Sequence, residues 1–499
     1  MSTVVIATVV GAPALRQESG EAHRGAVSLS EPSPAVRSLG LASGASGGPV
    51  TPTPSGASTS GSVSAAASIA ASAASIGVAG ALTADEDVAN RMPPLGSLAL
   101  LLLLPLLVGT NLVIVIPTAD DYSHRLGGDQ LFGGLMISSI PLGAWIGIYL
   151  NQWMLRGMSF KSVLIVITAG TIFGNVLYAL AGLMCFKWTL LISRVVIGLC
   201  NGFSLPCMYI SLTVGLKRRS EVVLYFSAAT TLGYAVGPTL AAVLDVFLKS
   251  VRVHNLVLDS DTAPGWFMAL LYLIFLVLIV IVFEDLPMHA TQPGPRGSAN
   301  AGDRFPLLSS CAAFWHLFVT SAQLTMAEVY LVFVGQQHWG WSIAKSALLL
   351  AGLMFCSGVI NMSMGKLGQR IMRSDRAGLL GGSIFSCVAC IPLSWSLKLQ
   401  GVIAEVSVLS AGLLMLVALA GLNRAFALAL TSKLVPSSLK RPMNEWATVM
   451  MTLGRAAGGV LGAVLNADSF APAMLGLCVV SVVVSVASHK AMKPNDKAD

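Results

Sequence analysis

"TLGRAAGGVLGAVL", at residues 452–465, is nearly a copy of "TLGYAVGPTLAAVL" at residues 231–244. The two phrases agree at nine of fourteen positions and lie 221 residues apart. Small residues recur in both at helical spacing, which predicts two helices that pack closely against their neighbours. The second phrase has Arg455 where the first has Tyr234, so a charge interrupts a pattern that is otherwise structural. The repeat predicts a fold of two related halves.

The composition around these phrases is that of a membrane protein with many spans. Of the 499 residues, 55% are apolar and 11% are charged, and the mean hydropathy is +0.77. Uncharged runs such as "LGSLALLLLLPLLVGTNLVIVIP", at residues 95–117, supply the roughly 20 apolar residues that cross a hydrocarbon core about 30 Å thick. The predicted fold class is therefore an all-α membrane protein.

Twelve candidate spans can be counted, six before and six after a polar segment that is rich in Pro and Gly. They cover residues 97–117, 130–150, 161–185, 188–213, 221–247, 264–284, 308–333, 343–364, 377–397, 402–432, 443–466 and 469–489. The two phrases fall in the fifth and eleventh spans, which hold the same place in each set of six. The predicted domains are a tail (1–95), an N-terminal bundle (96–284), a linker (285–307), a C-terminal bundle (308–489) and a second tail (490–499).

The N-terminal tail has the composition of a disordered segment. Residues 1–95 contain no aromatic residue and no lysine, and Ala, Ser, Gly, Pro and Thr dominate them. Such a segment cannot bury enough apolar surface to offset the entropy lost on ordering, so we expect disorder. A plastid or other transit peptide is the alternative.

Basic residues are divided unevenly between the two sets of loops. If both termini are cytoplasmic, the cytoplasmic loops and C-terminal tail hold seventeen Lys and Arg residues, and the opposite loops hold six. Since cytoplasmic loops are enriched in Lys and Arg, we expect this orientation. Topology also explains the net charge of +7, and without a contiguous basic patch no nucleic-acid partner is expected.

Each phrase offers a face of small residues to a neighbouring helix. Two six-span halves in the same orientation form a parallel repeat, with a cavity between bundles that can rock against each other. Pro238 is expected to bend the fifth span, where the second phrase has glycine. The residues assigned to helix packing are Gly233, Gly237, Pro238, Gly454, Gly458, Gly459 and Gly462.

The order of the spans resembles that of the major facilitator superfamily. Phrases such as "ISRVVIGLCNGFSLPCMYIS" (192–211) and "LTSKLVPSSLKRPMNEWATVMMTLGRAAGGVLGA" (430–463) resemble its branch with the vacuolar SPX-domain phosphate transporters and the lysosomal ceroid-lipofuscinosis-type protein. The resemblance implies secondary transport of a small solute by alternating access. It also implies an endomembrane such as the vacuole or lysosome, with the plasma membrane or a plastid as alternatives.

Three departures from the branch bear on the solute. The loop after the second span has Arg156 and Lys161, which the resemblance assigns to gating, but it lacks the acidic residue usual in that motif. The tail has no lysine cluster, so an SPX domain is not expected. After Arg194, where the phosphate transporters have a run of basic residues, this chain reads "GFSLPCMYI". The resemblance therefore does not carry phosphate over as the solute.

Arg455 is the most deeply placed charge in the predicted spans. It lies twelve residues beyond Met443, roughly 18 Å into the membrane at 1.5 Å per residue. A charge at such depth faces a cavity or a partner. We expect Arg455 to bind an anionic or carbonyl-bearing solute group or a carboxylate during transport, since a guanidinium offers a two-pronged fork. A permanent ion pair with Glu328 is the alternative.

The remaining intramembrane charges have weaker assignments. Arg194 begins an Arg-x-x-x-Gly sequence similar to the superfamily motif for proton coupling or substrate charge; snorkelling to the interface is the alternative. Glu328 is assigned to coupling, with an interfacial charge as the alternative. Arg424, about 12 Å from the cytoplasmic end of its span, is assigned to gating. Asp245 is expected to be interfacial.

The expected function is secondary active transport of a small anion or organic anion, with membrane lipid as the surroundings and a monomer as the working unit. A passive organellar anion channel and a transport-dead receptor or scaffold are the alternatives. His124, His316 and His338 do not cluster in sequence, and Cys387 and Cys390 lack a second ligand pair, so neither a metal nor a cofactor is expected. With no catalytic triad and no phosphate loop, an enzyme is not expected.

Overall fold

The computed structural model describes residues 92–214, 216–248, 251–253, 256–285, 306–371, 374–435 and 439–492. Nearly all of the expected N-terminal tail lies outside these residues. The greater part of the expected linker, 286–305, and the last residues of the C-terminal tail, 493–499, lie outside them as well.

The N-terminal half contains eight described α-helices, several of which combine into single membrane spans. A 3-10 turn, Ile116–Thr118, joins the first two. The helices are α1 (Leu95–Val113), α2 (Ala119–Arg125), α3 (Gln130–Met154), α4 (Phe160–Met184), α5 (Lys187–Leu199), α6 (Ser204–Thr213), α7 (Leu216–Phe247) and α8 (Ala263–Val282).

The C-terminal half contains six described α-helices, each of which is one span. They are α9 (Leu307–Gln337), α10 (Ile343–Ile371), α11 (Asp375–Ser396), α12 (Val402–Leu434), α13 (Lys440–Val464) and α14 (Ala467–Ser488). Twelve stretches of the described chain are long and apolar enough to cross a membrane. Because twelve is even, both ends of the described chain lie on one side, which we call the termini face; the other side is the opposite face.

The twelve predicted spans are confirmed, with local differences at their ends. The first span continues through α2 to Arg125, and the seventh reaches Gln337, four residues beyond the prediction. The first is longer because the 3-10 turn at Pro117 bends the chain without ending the helical stretch. The seventh is longer because α9 is the central helix: 94% of its apolar stretch is buried, against 33% for α8. The polar residues near the end of α9 are therefore surrounded by other helices of the protein.

The predicted fourth helix, 188–213, is broken in the structure. Helix α5 ends at Leu199 and α6 begins at Ser204. The freed backbone groups find side-chain partners, because Asn151 donates from Nδ2 to the Asn201 carbonyl (3.0 Å) and the Phe203 N–H donates to Asn201 Oδ1 (2.9 Å). Irregular backbone at membrane depth is tolerated where protein satisfies it in this way.

A short β-hairpin departs from the all-α prediction. Strands β1 (Val251–Val253) and β2 (Leu256–Leu258) pair antiparallel between α7 and α8, with Arg252 opposite Val257. The hairpin lies outside the helical spans, and hydropathy gave no signal for it because each strand is only three residues long.

The two repeated phrases perform the same packing task in the two halves. In α7, a Cβ on Gly233 would lie 2.4 Å from the Leu106 carbonyl oxygen of α1. In α13, a Cβ on Gly454 would lie 2.1 Å from the Phe318 carbonyl oxygen of α9. The same equivalence joins the next pair, since Gly237 faces the Thr110 carbonyl and Gly458 faces the Ala322 carbonyl. These two pairs of contacted residues are each 212 positions apart, so the internal repeat is visible in the packing.

The remaining packing residues divide between the halves and their interface. Gly462 approaches Met326 of α9, in line with Gly454 and Gly458. Gly459 faces the other way, because a Cβ there would lie 2.4 Å from Ser138 Oγ of α3 in the other half. Pro238 lies inside α7. One face of α13 therefore packs within its own bundle, while another contacts the N-terminal bundle.

Candidate functional site

The structure pairs Arg455 of α13 with Glu328 of α9. Arg455 Nη2 and Glu328 Oε1 are 3.3 Å apart, and the two side chains are 9% and 1% exposed. The helices come close enough for this contact because Gly454 and Gly458 have no side chains to hold them apart. The carboxylate that the sequence placed near the end of a span is fully enclosed, so it is not an interfacial charge.

Arg455 also lies over the ring of Tyr234, with its Cζ 4.3 Å from the ring centroid. Tyr234 is the residue at the equivalent place in the first repeat, 221 positions earlier. A cation over an aromatic face is attracted by the electron-rich ring. The position where the repeat breaks is therefore a point where α7 and α13, and with them the two halves, touch.

The pairing of Arg455 and Glu328 leaves polar atoms unused. Glu328 Oε2 and Arg455 Nε are buried and have no hydrogen-bond partner among the described residues. Buried ionic groups of this kind are expensive unless all their hydrogen-bonding capacity is met. The hydrogen-bonding capacity of the pair is therefore incompletely satisfied.

Arg424 of α12 is the third charge of the cluster. It is near enough to interact electrostatically with both Arg455 and Glu328. No described residue lies within hydrogen-bond or ion-pair distance of its guanidinium. Arg424 is only partly buried and lines a cavity between the halves, whereas Arg455 is not part of the cavity wall.

The cavity has a volume of about 30 Å³, which is room for one or two water molecules. Thr231 and Tyr234 of α7 form the N-terminal side of its wall. The C-terminal bundle supplies apolar residues and the polar side chains of Thr320, Ser357, Asn361 and Arg424. The wall is polar on both sides and its charged group is cationic, which favours negative charge on a small solute at this place.

Arg194 of α5 lies elsewhere, inside the N-terminal bundle. It is fully buried and donates from Nη1 to the Asn111 carbonyl (3.3 Å) and from Nη2 to the Leu112 carbonyl (3.4 Å). These carbonyls belong to the last turn of α1, where a cation is favourable. The Tyr178 ring lies 5.8 Å from its Cζ. The guanidinium does not snorkel to the interface.

The two residues assigned to gating in the loop after α3 are placed differently from each other. Arg156 is exposed. Lys161 donates from Nζ to the carbonyls of Val280 (3.0 Å) and Phe283 (2.8 Å), so it holds the end of α8. Its backbone N–H donates to Asp285 Oδ1 at 3.0 Å. The gating motif after the second span has no acidic residue of its own, and Asp285, which follows α8, lies beside it.

A set of hydrogen bonds that the sequence does not predict joins the halves at the opposite face. Gln336 donates to the Pro117 carbonyl (2.7 Å), and Gln337 donates to Asp120 Oδ2 (2.9 Å). Asp245 of α7 accepts the Ala344 N–H at the start of α10 (3.2 Å). We call these three contacts the opposite-face seal. The adjacent glutamines at the end of an apolar span were the available signal.

At the end of the first span, Arg125 connects α2 to the segment that precedes α8. It forms ion pairs with Asp259 and with Asp261, the second at 3.0 Å. Burial raises the pKa of Asp261 to about 6; the charge of Asp259 adds to the rise, and Arg125 opposes it. Both contacts lie within the N-terminal half.

The histidines noted in the sequence have separate partners. His124 lies 3.4 Å from Asp120, His316 shares a 2.9 Å hydrogen bond with Ser485, and His338 lies 3.4 Å from Glu405. In the described parts of the chain, no group of three or more His, Cys, Asp or Glu residues has the geometry of a metal site.

Twelve spans in two related bundles, with a charged cavity where the bundles meet, are an arrangement typical of membrane carriers. The chain belongs to the Major Facilitator Superfamily, whose family model matches residues 101–459. The family match indicates a transporter.

Comparison with known proteins agrees with this class. An SPX domain-containing membrane protein of Arabidopsis thaliana is 26% identical over 467 residues, which are 79% of this chain and 64% of that protein. The chain thus spans less than two-thirds of the length of the curated relatives it matches first.

Solved structures share the fold at low sequence identity. The xylose transporter XylE of E. coli, in an inward-open conformation, has a TM-score of 0.62 at 13% identity and covers 80% of this chain and 96% of its own. The human organic anion transporter MFSD10 has a TM-score of 0.54 at 17% identity and covers 79% of this chain and 100% of its own.

Proposed function

We propose that the protein is a secondary active transporter of a small anion or organic anion that works by alternating access. The observation that carries the proposal is the cluster of Arg455, Glu328 and Arg424, buried or half-buried where the two bundles meet. Intramembrane charges of this kind mark solute and ion pathways. Two guanidiniums and one carboxylate leave the cluster with an excess positive charge, which favours an anion.

The pairing of Arg455 and Glu328 suits a coupling role. A proton taken up by Glu328 would remove the charge that now holds Arg455, and the guanidinium would then be available to another anion or free to move from Tyr234. Proton binding and solute binding would in this way share one residue pair. Arg194, which is bonded to backbone carbonyls, is assigned a supporting role in the same transport function.

Alternating access requires the two bundles to part at one face and close at the other. The opposite-face seal holds that face closed through direct hydrogen bonds. We assign the termini face to the cytoplasm, on the seventeen-to-six division of basic residues. Arg156 and Lys161 lie at that face and are proposed to act in its gate. The transporter is proposed to work as a monomer.

An endomembrane, vacuolar or lysosomal, is the proposed location. Support comes from the resemblance of the sequence to the SPX branch and from the relatives that carry the SPX name. Organic anions are the proposed solute class, since the structural neighbour MFSD10 is an organic anion transporter and the charge excess of the cluster points the same way.

Flux measurements in liposomes test the proposal. Purified protein in sealed vesicles should accumulate a labelled anion against its gradient when a pH difference is imposed, and Arg455→Gln should abolish accumulation. Downhill flux that never exceeds equilibrium would indicate the channel instead. A protein that binds anions but moves none would be the receptor or scaffold. Lack of both binding and flux would overturn the proposal.

A further inference from the structure

The cavity wall distinguishes the two arginines of the cluster. Arg455 is occupied on two sides, by Glu328 at 3.3 Å and by the Tyr234 ring at 4.3 Å, and it is not part of the wall. Arg424 is part of the wall, and its guanidinium has no hydrogen-bonded or ion-paired partner among the described residues. This placement reverses the roles that the sequence predicts, which are binding for Arg455 and gating for Arg424.

Resting on the proposed anion transport, we propose that Arg424 is the residue that anchors the solute and that the solute is a compact oxyanion with a single negative charge. Arg455 is then a positioning and coupling residue whose ion pair with Glu328 stays intact while the anion is bound.

The charge of the solute follows from the charges around the cavity. Glu328 neutralises Arg455, so the described cluster has one cation, Arg424, without a counter-ion. An unpaired charge taken out of water is costly, and one negative charge on the solute offsets that cost. A solute with two negative charges would leave one uncompensated unless Glu328 took up a proton. Divalent anions should therefore bind only in acid.

The shape of the solute follows from the groups that line the cavity. A guanidinium donates two parallel hydrogen bonds to a carboxylate or phosphate-like group, which a spherical halide cannot accept in the same way. The Ser357 hydroxyl accepts a hydrogen bond from Asn361 (3.5 Å), and among the described residues its own proton has no acceptor. That proton can be donated to a second oxygen of the same anion. Thr231 and Tyr234 complete the wall from the other half.

Anion-dependent thermal unfolding of the purified full chain tests the charge and the shape. Acetate, succinate, sulfate and chloride serve as probes at neutral and at acidic pH. We expect acetate to raise the melting temperature at neutral pH, sulfate to do so only on acidification, and chloride to have no such effect. Sulfate that stabilises at least as well as acetate at neutral pH, or chloride that equals acetate, would contradict the proposal.

Variants test the anchoring residue. Arg424→Gln should weaken acetate binding and uptake by about tenfold or more, and Arg424→Lys, which keeps the charge but not the fork, should fall between. Arg376→Gln is the matched control, because Arg376 is an arginine of the same half that bonds to the His489 carbonyl and is not part of the cavity wall. If Arg424→Gln does not fold, the Arg424→Lys variant provides the test. An unchanged acetate affinity in that variant would contradict a two-pronged contact from Arg424.

The outcomes separate this inference from the function it rests on. A wild-type protein that neither binds nor moves any anion overturns the transport proposal itself. A wild-type protein that transports an anion, together with an Arg424→Gln variant of unchanged KM, overturns only the role of Arg424. Loss of affinity in Arg424→Gln, with the melting temperature of the anion-free protein unchanged, supports the inference.

Discussion

At the scale of single residues, the most consequential contact is the one between Arg455 and Glu328. The carboxylate has 1% of its side-chain surface exposed, and one of its oxygens already lacks a partner. Removing the guanidinium would leave the other oxygen unpaired as well. Substituting one partner is therefore expected to lower the free energy of unfolding strongly, and substituting both partners by uncharged residues is expected to lower it much less.

The first prediction concerns this asymmetry. Arg455→Met should lower the free energy of unfolding by about 3–5 kcal/mol, because an uncompensated carboxylate remains buried. Adding Glu328→Gln in the same chain should restore most of that loss. The measurement is thermal unfolding in detergent, followed by tryptophan fluorescence. Equal losses in the single and double variants would show that the charge of Glu328 is not what destabilises the protein.

The second prediction concerns Asp261, whose pKa folding raises from 3.8 to about 6. The folded protein therefore binds this proton more tightly than the unfolded chain does. The resulting contribution to stability is complete below pH 3.8 and is lost as the pH rises through about 6.

Asp261→Asn removes this titration while keeping an acceptor oxygen for Arg125. Its melting temperature should match that of the wild-type protein below pH 3.8, exceed it by an amount that grows between pH 3.8 and about 6, and keep a constant excess at higher pH. Melting curves recorded across this range provide the test. A difference between the two proteins that does not change with pH would contradict the assignment.

At the scale of elements, the glycine contacts decide how closely helices approach. Helices α13 and α9 touch backbone to backbone at Gly454 and Gly458, and α7 and α1 do so at Gly233 and Gly237. Without a hydrophobic drive between helices in lipid, such close contact supplies much of the association through van der Waals packing. The Arg455 and Glu328 pair depends on this approach, since they lie on the same two helices.

The third prediction tests the approach of α9 and α13. Gly454→Ala places a methyl group where the Phe318 carbonyl oxygen lies, so the helices must separate, at a cost of about 1–3 kcal/mol. The melting temperature should fall, and anion affinity should fall with it as the ion pair stretches. Gly476→Ala is the matched control, because a Cβ there meets nothing within 4 Å. Equal stability of the two variants would contradict the packing role.

At the scale of the whole molecule, the two halves meet in two ways. Near the middle of the bundle, Gly459 of α13 lies against Ser138 of α3 and Arg455 of α13 contacts the Tyr234 ring of α7, and the opposite-face seal closes one end. Hydrogen bonds of this kind contribute only about 0.5–1.5 kcal/mol each, so they can be made and broken within a transport cycle.

The fourth prediction concerns the seal. Gln336→Ala combined with Gln337→Ala removes two of its hydrogen bonds and should favour the state open at the opposite face. A cysteine placed at Ala119, which is fully buried, should then react with a membrane-impermeant maleimide about 5- to 100-fold faster. The background should lack the exposed native cysteines, which are Cys185, Cys207, Cys311 and Cys356.

Gln323→Ala is the control for the seal. Gln323 donates to Cys478 inside the C-terminal half, so its loss should leave the reactivity of the introduced cysteine unchanged. Similar acceleration in the control and in the double variant would mean that general loosening, and not the seal, exposes the site.

Much of the fold could be predicted from the sequence, because long apolar runs and repeated glycines act locally. The break at Asn201 could not, since apolar residues continue through it and the compensating bond comes from Asn151 on another helix. The site was predicted only in part. The sequence offered the ion pair of Arg455 and Glu328 only as an alternative, because it placed Glu328 near the end of its span. The position of Arg424 in the cavity wall depends on several helices at once, and the carbonyl partners of Arg194 depend on where α1 ends.

The contact between Tyr234 and Arg455 has a consequence for how such a duplicated chain can diverge. Two positions that are equivalent in the halves and touch each other stand on the pseudo-twofold axis, where each residue faces its own counterpart. Identical arginines there would repel each other, and identical tyrosines would leave Glu328 without its ion-pair partner. Identical residues are therefore least tolerable at the two equivalent positions that meet on the axis.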